Sequence, residues 1–157
     1  MANFQFISFY VGENLFGLNI IHIREIIRRF DITPVEGASE FVLGVLNLRG
    51  QIVTVLDPGI KFAIGKRTIT PNSRCIVLKT TQELRKNRDD GFLEENTSND
   101  WIGLVVDSMG DVITVPEEEI SPPPANLSGL DSKFLAGVVN RNSELLVLLK
   151  ISEVVGS

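Results

Sequence analysis

The chain has 157 residues, 43% of them hydrophobic, which suits one packed domain or two small lobes sharing a core. A net charge of −5 and a pI near 4.9 argue against a general nucleic-acid binder, which carries a basic face. The single cysteine, Cys75, excludes an intrachain disulfide framework and fits a reducing compartment.

Phe4 to Val11 is rich in aromatic and β-branched residues and stops at Gly12-Glu13-Asn14, which reads as a strand and a turn. Nothing in MANFQF resembles a signal peptide. Leu15 to Asn19 is a short return strand. From Ile20 the spacing of Ile20, Ile23, Ile26 and Phe30 predicts a short helix over 21–29, with Arg24, Glu25, Arg28 and Arg29 on its solvated side. Pro34 ends it. Phe41 to Asp57 reads as a hairpin, two apolar runs hinged on Leu48-Arg49-Gly50-Gln51, with Gly50 suited to a positive φ. Asp57-Pro58-Gly59 closes its second strand.

Arg74 to Lys79 is the next strand and holds Cys75 as a buried, inert thiol. Residues 81–100 are polar and charged and read as a long loop of poor order, with Phe92 and Leu93 able to pin it to the body. Trp101–Asp107 and Asp111–Val115 form a strand pair around Ser108-Met109-Gly110. Pro116 to Pro124 carries four prolines and an acidic run, and so is an extended connector. Phe134–Asn140 and Glu144–Leu149 form a second hairpin, and Ile151–Val155 a final helical turn. Four segments (FQFISFYV, LGVLNL, IGLVV and LLVLLK) are apolar at nearly every position, yet all fall short of the roughly 18 residues that span a bilayer.

The second hairpin echoes the first. Phe41/Phe134, Gly44/Gly137, Val45/Val138 and Asn47/Asn140 are identical at an offset of 93 residues. A second echo pairs Leu15–Ile27 with Trp101–Ile113 at an offset of 86, through Gly17/Gly103, Leu18/Leu104 and Ile27/Ile113. Thr33-Pro34 and Ser121-Pro122 fall between them in matching order. The chain therefore reads as two related halves rather than a short-period solenoid. Closed β-barrels solve the exposed-edge problem for so many short strands, and two small ones fit two halves.

No catalytic constellation is legible. The lone His22 reads as a surface or satisfied residue. The chain has no metal-ligand spacing, no Gly-x-Ser-x-Gly elbow and no phosphate-cradling loop. Carboxylates at Asp89-Asp90, Glu94-Glu95 and Glu117-Glu118-Glu119 lie in loop-like sequence, where solvated charge is the default. No catalytic residue, metal or cofactor is expected. Arg49, beside an apolar hairpin, offers five fixed donors. It serves either as an anchor for its own turn or across lobes, or as a recognition group for an acidic partner.

The ordered set Phe16-Gly17-Leu18, Ile23-x-Glu25-Ile26, Gly44-Val45-x-Asn47-Leu48-Arg49-Gly50, Val55-x-Asp57, Gly103-Leu104-Val105-Val106-Asp107 and Phe134-Leu135-x-Gly137 resembles the CheW-like domain family of bacterial chemotaxis coupling proteins. The resemblance covers nearly the whole chain as a single domain, 1–157. It implies a mainly β fold of two five-stranded SH3-like barrels sharing a hydrophobic core, with one short helix after the second strand and a C-terminal helical turn. The expected lobes are 14–80, and 4–13 with 100–157, with 81–100 as the polar loop. It implies a non-enzymatic adaptor coupling chemoreceptor cytoplasmic tips, bound as helical hairpins, to the regulatory domain of the histidine kinase CheA. No nucleic acid and no membrane insertion are implied; the protein would be a cytoplasmic monomer recruited to receptor arrays. Carried over residue by residue, the partner-binding set is Ile23, Glu25, Gly44, Asn47, Arg49, Met109 and Val112. A non-flagellar pathway, twitching or developmental, fits the same fold; a small ligand-binding or enzymatic barrel is the alternative of another class. The chain departs from the family at Pro58-Gly59, where an arginine often follows the aspartate.

Overall fold

The computed structural model describes residues 2–86, 100–124 and 130–156. Ten strands are found among them: β1 (Asn3–Val11), β2 (Asn14–Asn19), β3 (Ile23–Ile27), β4 (Val42–Leu48), β5 (Gln51–Leu56), β6 (Arg74–Leu78), β7 (Ile102–Val106), β8 (Ser108–Pro116), β9 (Leu135–Arg141) and β10 (Glu144–Leu149). Three short helices join them: α1 (Pro58–Lys61), α2 (Thr81–Lys86) and α3 (Ile151–Val155). The strands form two five-stranded sheets, ordered β8-β1-β2-β10-β9 and β3-β6-β7-β5-β4. The C-terminal turn and both hairpins form where the sequence places them.

The halves correspond strand by strand and residue by residue. Val55 pairs Gly103 where Leu148 pairs Gly17, in the parallel ladders β5–β7 and β10–β2. Those pairs reproduce both sequence offsets, 93 and 86. Neither ladder closes its barrel. The barrels stay open as sheets, and one isolated two-bond bridge in each lobe spans the gap: Thr33 with Val45 at 2.8 and 2.9 Å, and Ser121 with Val138 at 2.9 Å both ways. The recurring Thr-Pro and Ser-Pro steps are thus the bridging segments, and Gly44 and Gly137 lie beneath them. A Cβ at Gly44 would meet the Thr33 carbonyl oxygen at 2.2 Å, and one at Gly137 the Ser121 oxygen at 2.9 Å.

The near-continuous apolar runs follow from burial on both strand faces. In β7, Ile102, Leu104 and Val106 enter a core shared by the lobes, while Val105 enters the interior of its own barrel. In β1, Phe9 and Val11 join the shared core, and Phe4 and Phe6 fill the other barrel. Phe9, Phe16, Phe62 and Phe134 make a tilted aromatic chain at centroid spacings of 5.2–6.0 Å.

The structure corrects four expectations. The short helix after β2 is a single 3-10 turn at Ile20–His22, not an α-helix over 21–29; capped by the Asn19 side chain on the Ile21 N–H at 3.1 Å, it leads into β3. Ile23, Ile26 and Ile27 are β-branched, and an available partner strand, β6, wins over helical spacing. Trp101–Asp107 and Asp111–Val115 do not pair with each other: β7 belongs to one sheet and β8 to the other, with only Asp107 between them. For the same reason the lobes divide differently from 14–80 and 4–13 plus 100–157, since β2 pairs with β1 and β10 while β7 pairs with β5 and β6. Residues 81–86, expected in a loop, are helical; Phe92 and Leu93 lie outside the described residues. The connector after β8 also begins with a 3-10 turn, Glu117–Glu119.

Candidate partner-binding surface

The β4–β5 tip is a turn with positive φ at both central residues, 51° at Arg49 and 88° at Gly50. The Asn47 side-chain oxygen accepts the Gly50 N–H at 2.8 Å and fixes it. Arg49 then reaches β3, where its guanidinium forks onto Glu25: Nη2 to Oε1 at 2.5 Å and Nη1 to Oε2 at 3.4 Å. Hydrogen bonding to Glu25, followed by its charge, raises the Arg49 pKa further. β3 and β4 are the two outer strands of their sheet, so this pair latches one edge to the other. The Arg49 side chain is 70% exposed, which leaves its faces open to a partner and makes the pair a weak source of stability.

Beside the latch lies an open cleft of about 790 Å³ between the end of β3 and β4. Ile27, Phe30, Leu46 and Leu48 give it apolar walls, and Arg28 and Arg29 stand at its rim with Asp31. Exposed Ile69 lines its far side.

The structure thus brings Glu25, Asn47 and Arg49 together. Ile23, half-buried, packs into the shared core. Gly44 is buried beneath Thr33 and shapes the barrel instead of touching solvent. Met109 and Val112 sit apart from these, on β8 of the other sheet; Met109 packs against the shared core and Val112 is 50% exposed.

Several contacts escaped the sequence reading. Arg24 lies 3.8 Å over the Trp101 ring and pairs with Glu83. Glu83 is held by a capping box: its carboxylate accepts the Thr80 N–H at 2.9 Å, and its own N–H donates to Thr80 Oγ1 at 3.3 Å. Burial pushes the Glu83 carboxyl up, but the Thr80 N–H and Arg24 outweigh it, so it sits below its usual range. The pattern Thr80-x-x-Glu83 was the available signal for α2. Cys75 is buried and its thiol is pushed up to about 12 by burial, as suits an inert core residue.

Arg67 is the third omission. It is 8% exposed and lies between Asp57, which is fully buried, and Asp107. Its backbone N–H donates to Asp57 Oδ2 at 2.7 Å and its Nη1 to Asp107 Oδ2 at 2.5 Å. Asp57 also caps α1 through the Gly59 N–H at 2.8 Å, and Asp107 accepts the Gly12 N–H at 2.7 Å. Arg67 therefore ties the end of β5 to the end of β7 through two carboxylates.

His22 is buried, contrary to a surface reading, and its Nε2 has no hydrogen-bond partner among the described residues. Burial, then the Lys79 charge, lowers its pKa to about 4. The unfolded imidazole takes up a proton below pH about 6.5, whereas the folded one stays neutral down to about 4. Stability is therefore lost as pH falls through that window, about 2 kcal/mol of it by pH 5. Urea unfolding at pH 7 and pH 5 is expected to show this loss in the native chain and much less in His22→Gln. Equal losses in both would exclude His22 as the cause.

A two-lobed β scaffold whose surface offers an ionic latch, an open arginine-rimmed cleft and uncovered apolar side chains belongs to the class of protein-interaction modules. Comparisons with known proteins narrow this. The CheW-like domain model matches residues 5–157, and the chain belongs to that family. It is 26% identical over 154 residues to the chemotaxis protein CheW of Treponema pallidum, covering 98% of this chain and 83% of that one. It is 28% identical over 153 residues to the CheW of Klebsiella aerogenes, covering 98% and 82%. The structure matches that of the scaffolding protein TtCheW from Thermoanaerobacter tengcongensis with a TM-score of 0.81 and 27% identity, over 100% of this chain and 90% of that one.

Proposed function

We propose that this coupling adaptor of the CheW family acts without catalysis, joining chemoreceptor cytoplasmic tips to the regulatory domain of the kinase CheA. It would be held at the inner face of the membrane through those receptors. The observation that carries this reading is the Asn47-Leu48-Arg49-Gly50 tip, folded so that Arg49 holds a largely exposed guanidinium on Glu25 while Asn47 and Leu48 line the adjoining open cleft. Val35, Ile52, Ile69 and Val112 are exposed as well. No described helix is long and apolar enough to cross a membrane.

Calorimetry with a CheA regulatory domain and with a receptor-tip fragment tests the reading. Micromolar-class binding to both is expected for transient interfaces, and binding to neither would end the proposal. Arg49→Ala is expected to weaken kinase-domain binding about tenfold, as the loss of an exposed charge-assisted contact does, with an unchanged melting midpoint. A large drop in melting temperature with intact binding would make Arg49 an anchor alone.

A further inference from the structure

Strand β3 carries one residue more than the stretch of β6 it faces. Ile23 pairs Leu78 and Glu25 pairs Val77, so Arg24 sits in a β-bulge. The bulge decides where Glu25 points. Side chains alternate along a strand, yet Ile23 and Ile26, whose spacing is odd, both pack on the shared core. A regular strand would put Glu25 on that core face beside Ile23. The extra residue turns it to the face of Ile27, which packs on the interior of its own barrel, and there Arg49 meets it.

The other lobe has the same bulge at the offset of 86 residues. Ile7 pairs Val112 and Phe9 pairs Met109, which leaves Gly110 and Asp111 opposite Ser8 alone. There a hydroxyl pins the bulge: Ser8 Oγ donates to the Asp111 carbonyl at 2.7 Å. The approach is so close that a Cβ on Gly110 would lie 2.4 Å from Ser8 Oγ. The first lobe has neither group. Val77 takes the place of Ser8 and has no side-chain donor, and Arg24 takes the place of Gly110. What Arg24 brings instead is a held side chain, 26% exposed. Its guanidinium carbon lies 3.8 Å from the centre of the Trp101 ring, and its Nη2 pairs with Glu83, itself fixed by the Thr80 capping box. Trp101 packs on the interior of the same barrel, and its carbonyl accepts the Thr54 N–H at 2.9 Å.

We infer that Arg24 is the positioning residue of the Arg49–Glu25 latch: held between Trp101 and Glu83, it replaces the serine pin of the other lobe and sets the bulge that aims Glu25 at Arg49. It acts through Glu25 and needs no partner contact of its own. An arginine suits the place because its flat guanidinium stacks on the indole while its edge pairs with a carboxylate. The effect on kinase binding rests on the coupling function proposed above; the effect on the latch does not.

Nitrogen-15 NMR of the guanidinium groups reads the latch directly, with the Arg49 signals identified by their loss in Arg49→Ala. A guanidinium forked onto a carboxylate turns slowly about Nε–Cζ, so its two Nη signals stay separate. Arg24→Met is expected to merge them, and so is Glu83→Gln, which loosens Arg24 without altering β3. Kinase-domain affinity is expected to fall about fivefold in Arg24→Met, and no further when Arg24→Met is added to Arg49→Ala. Separate Arg49 signals in both variants, or merged ones already in the unsubstituted chain, would overturn the inference. Additive losses would overturn it too, since Arg24 would then touch the kinase domain itself. Failure of the unsubstituted chain to bind the kinase domain would end the coupling function and leave the NMR result to decide the inference.

Discussion

Arg67→Met is expected to cost about 3–5 kcal/mol, the range for removing one partner of a buried ion pair. The guanidinium is 8% exposed and lies between a fully buried carboxylate and a one-third exposed one. Methionine fills much of the volume but leaves Asp57 and Asp107 facing each other without a cation. The effect reaches both lobes. Asp57 caps α1 at the end of β5, while Asp107 marks the crossing from β7 to β8 and holds the Gly12 N–H of the β1–β2 turn. Arg67→Lys recovers only part of the loss, since an ammonium cannot reproduce a fork that also donates to the Gly65 carbonyl at 3.1 Å. Urea unfolding at pH 7 measures the change; a loss under about 1 kcal/mol would mean the pair is solvated in practice. In a double-mutant cycle, Asp57→Asn combined with Arg67→Met is expected to cost less than the sum of the two. The relative setting of the lobes depends on this joint, so tip and kinase affinities are expected to fall together in Arg67→Met, unlike the selective loss at Arg49.

What was legible in the sequence was local. Both hairpins carry their signal in near-continuous apolar runs interrupted by the tip residues Arg49-Gly50 and Asn142-Ser143, so their boundaries came out within a residue or two. The Gly44/Gly137 and Thr33/Ser121 echoes were visible, although their meaning, a bridge crossing above a glycine, needed the third dimension. What failed was non-local or ambiguous. Ile20, Ile23, Ile26 and Phe30 satisfy a helical period, yet β3 is held by pairing with β6 some 50 residues away. The lobe boundaries depend on the parallel pairs β5–β7 and β10–β2, which no adjacent pattern announces. Arg67 lay unnoticed because its partners are 10 and 40 residues distant. Of the candidate site, Glu25 and Arg49 were singled out separately; that they bind each other could not be read from a chain in which Glu25 was assigned to a helix.

Gly44→Ala is expected to cost about 3 kcal/mol or more, and Gly50→Ala clearly less, although both glycines have positive φ. At Gly44 (φ 150°) an added Cβ would lie 2.2 Å from the Thr33 oxygen and 2.7 Å from its carbonyl carbon. These are backbone atoms that cannot rotate away, so the bridging segment must lift. Lifting it breaks the two Thr33–Val45 hydrogen bonds, at about 1 kcal/mol each, and adds backbone strain of about 1–3 kcal/mol. At Gly50 (φ 88°) nothing lies within 4 Å of the added Cβ, so strain alone remains, about 1–2 kcal/mol. The bridge holds the chain after β3 against β4, the same two strands that Glu25 and Arg49 join. Opening it should therefore separate the latch, and Gly44→Ala is expected to lose kinase-domain binding even at temperatures where it stays folded. Urea midpoints and calorimetry on both variants decide the matter. Equal destabilisation would show that φ, and not the Thr33 crossing, fixes glycine at position 44.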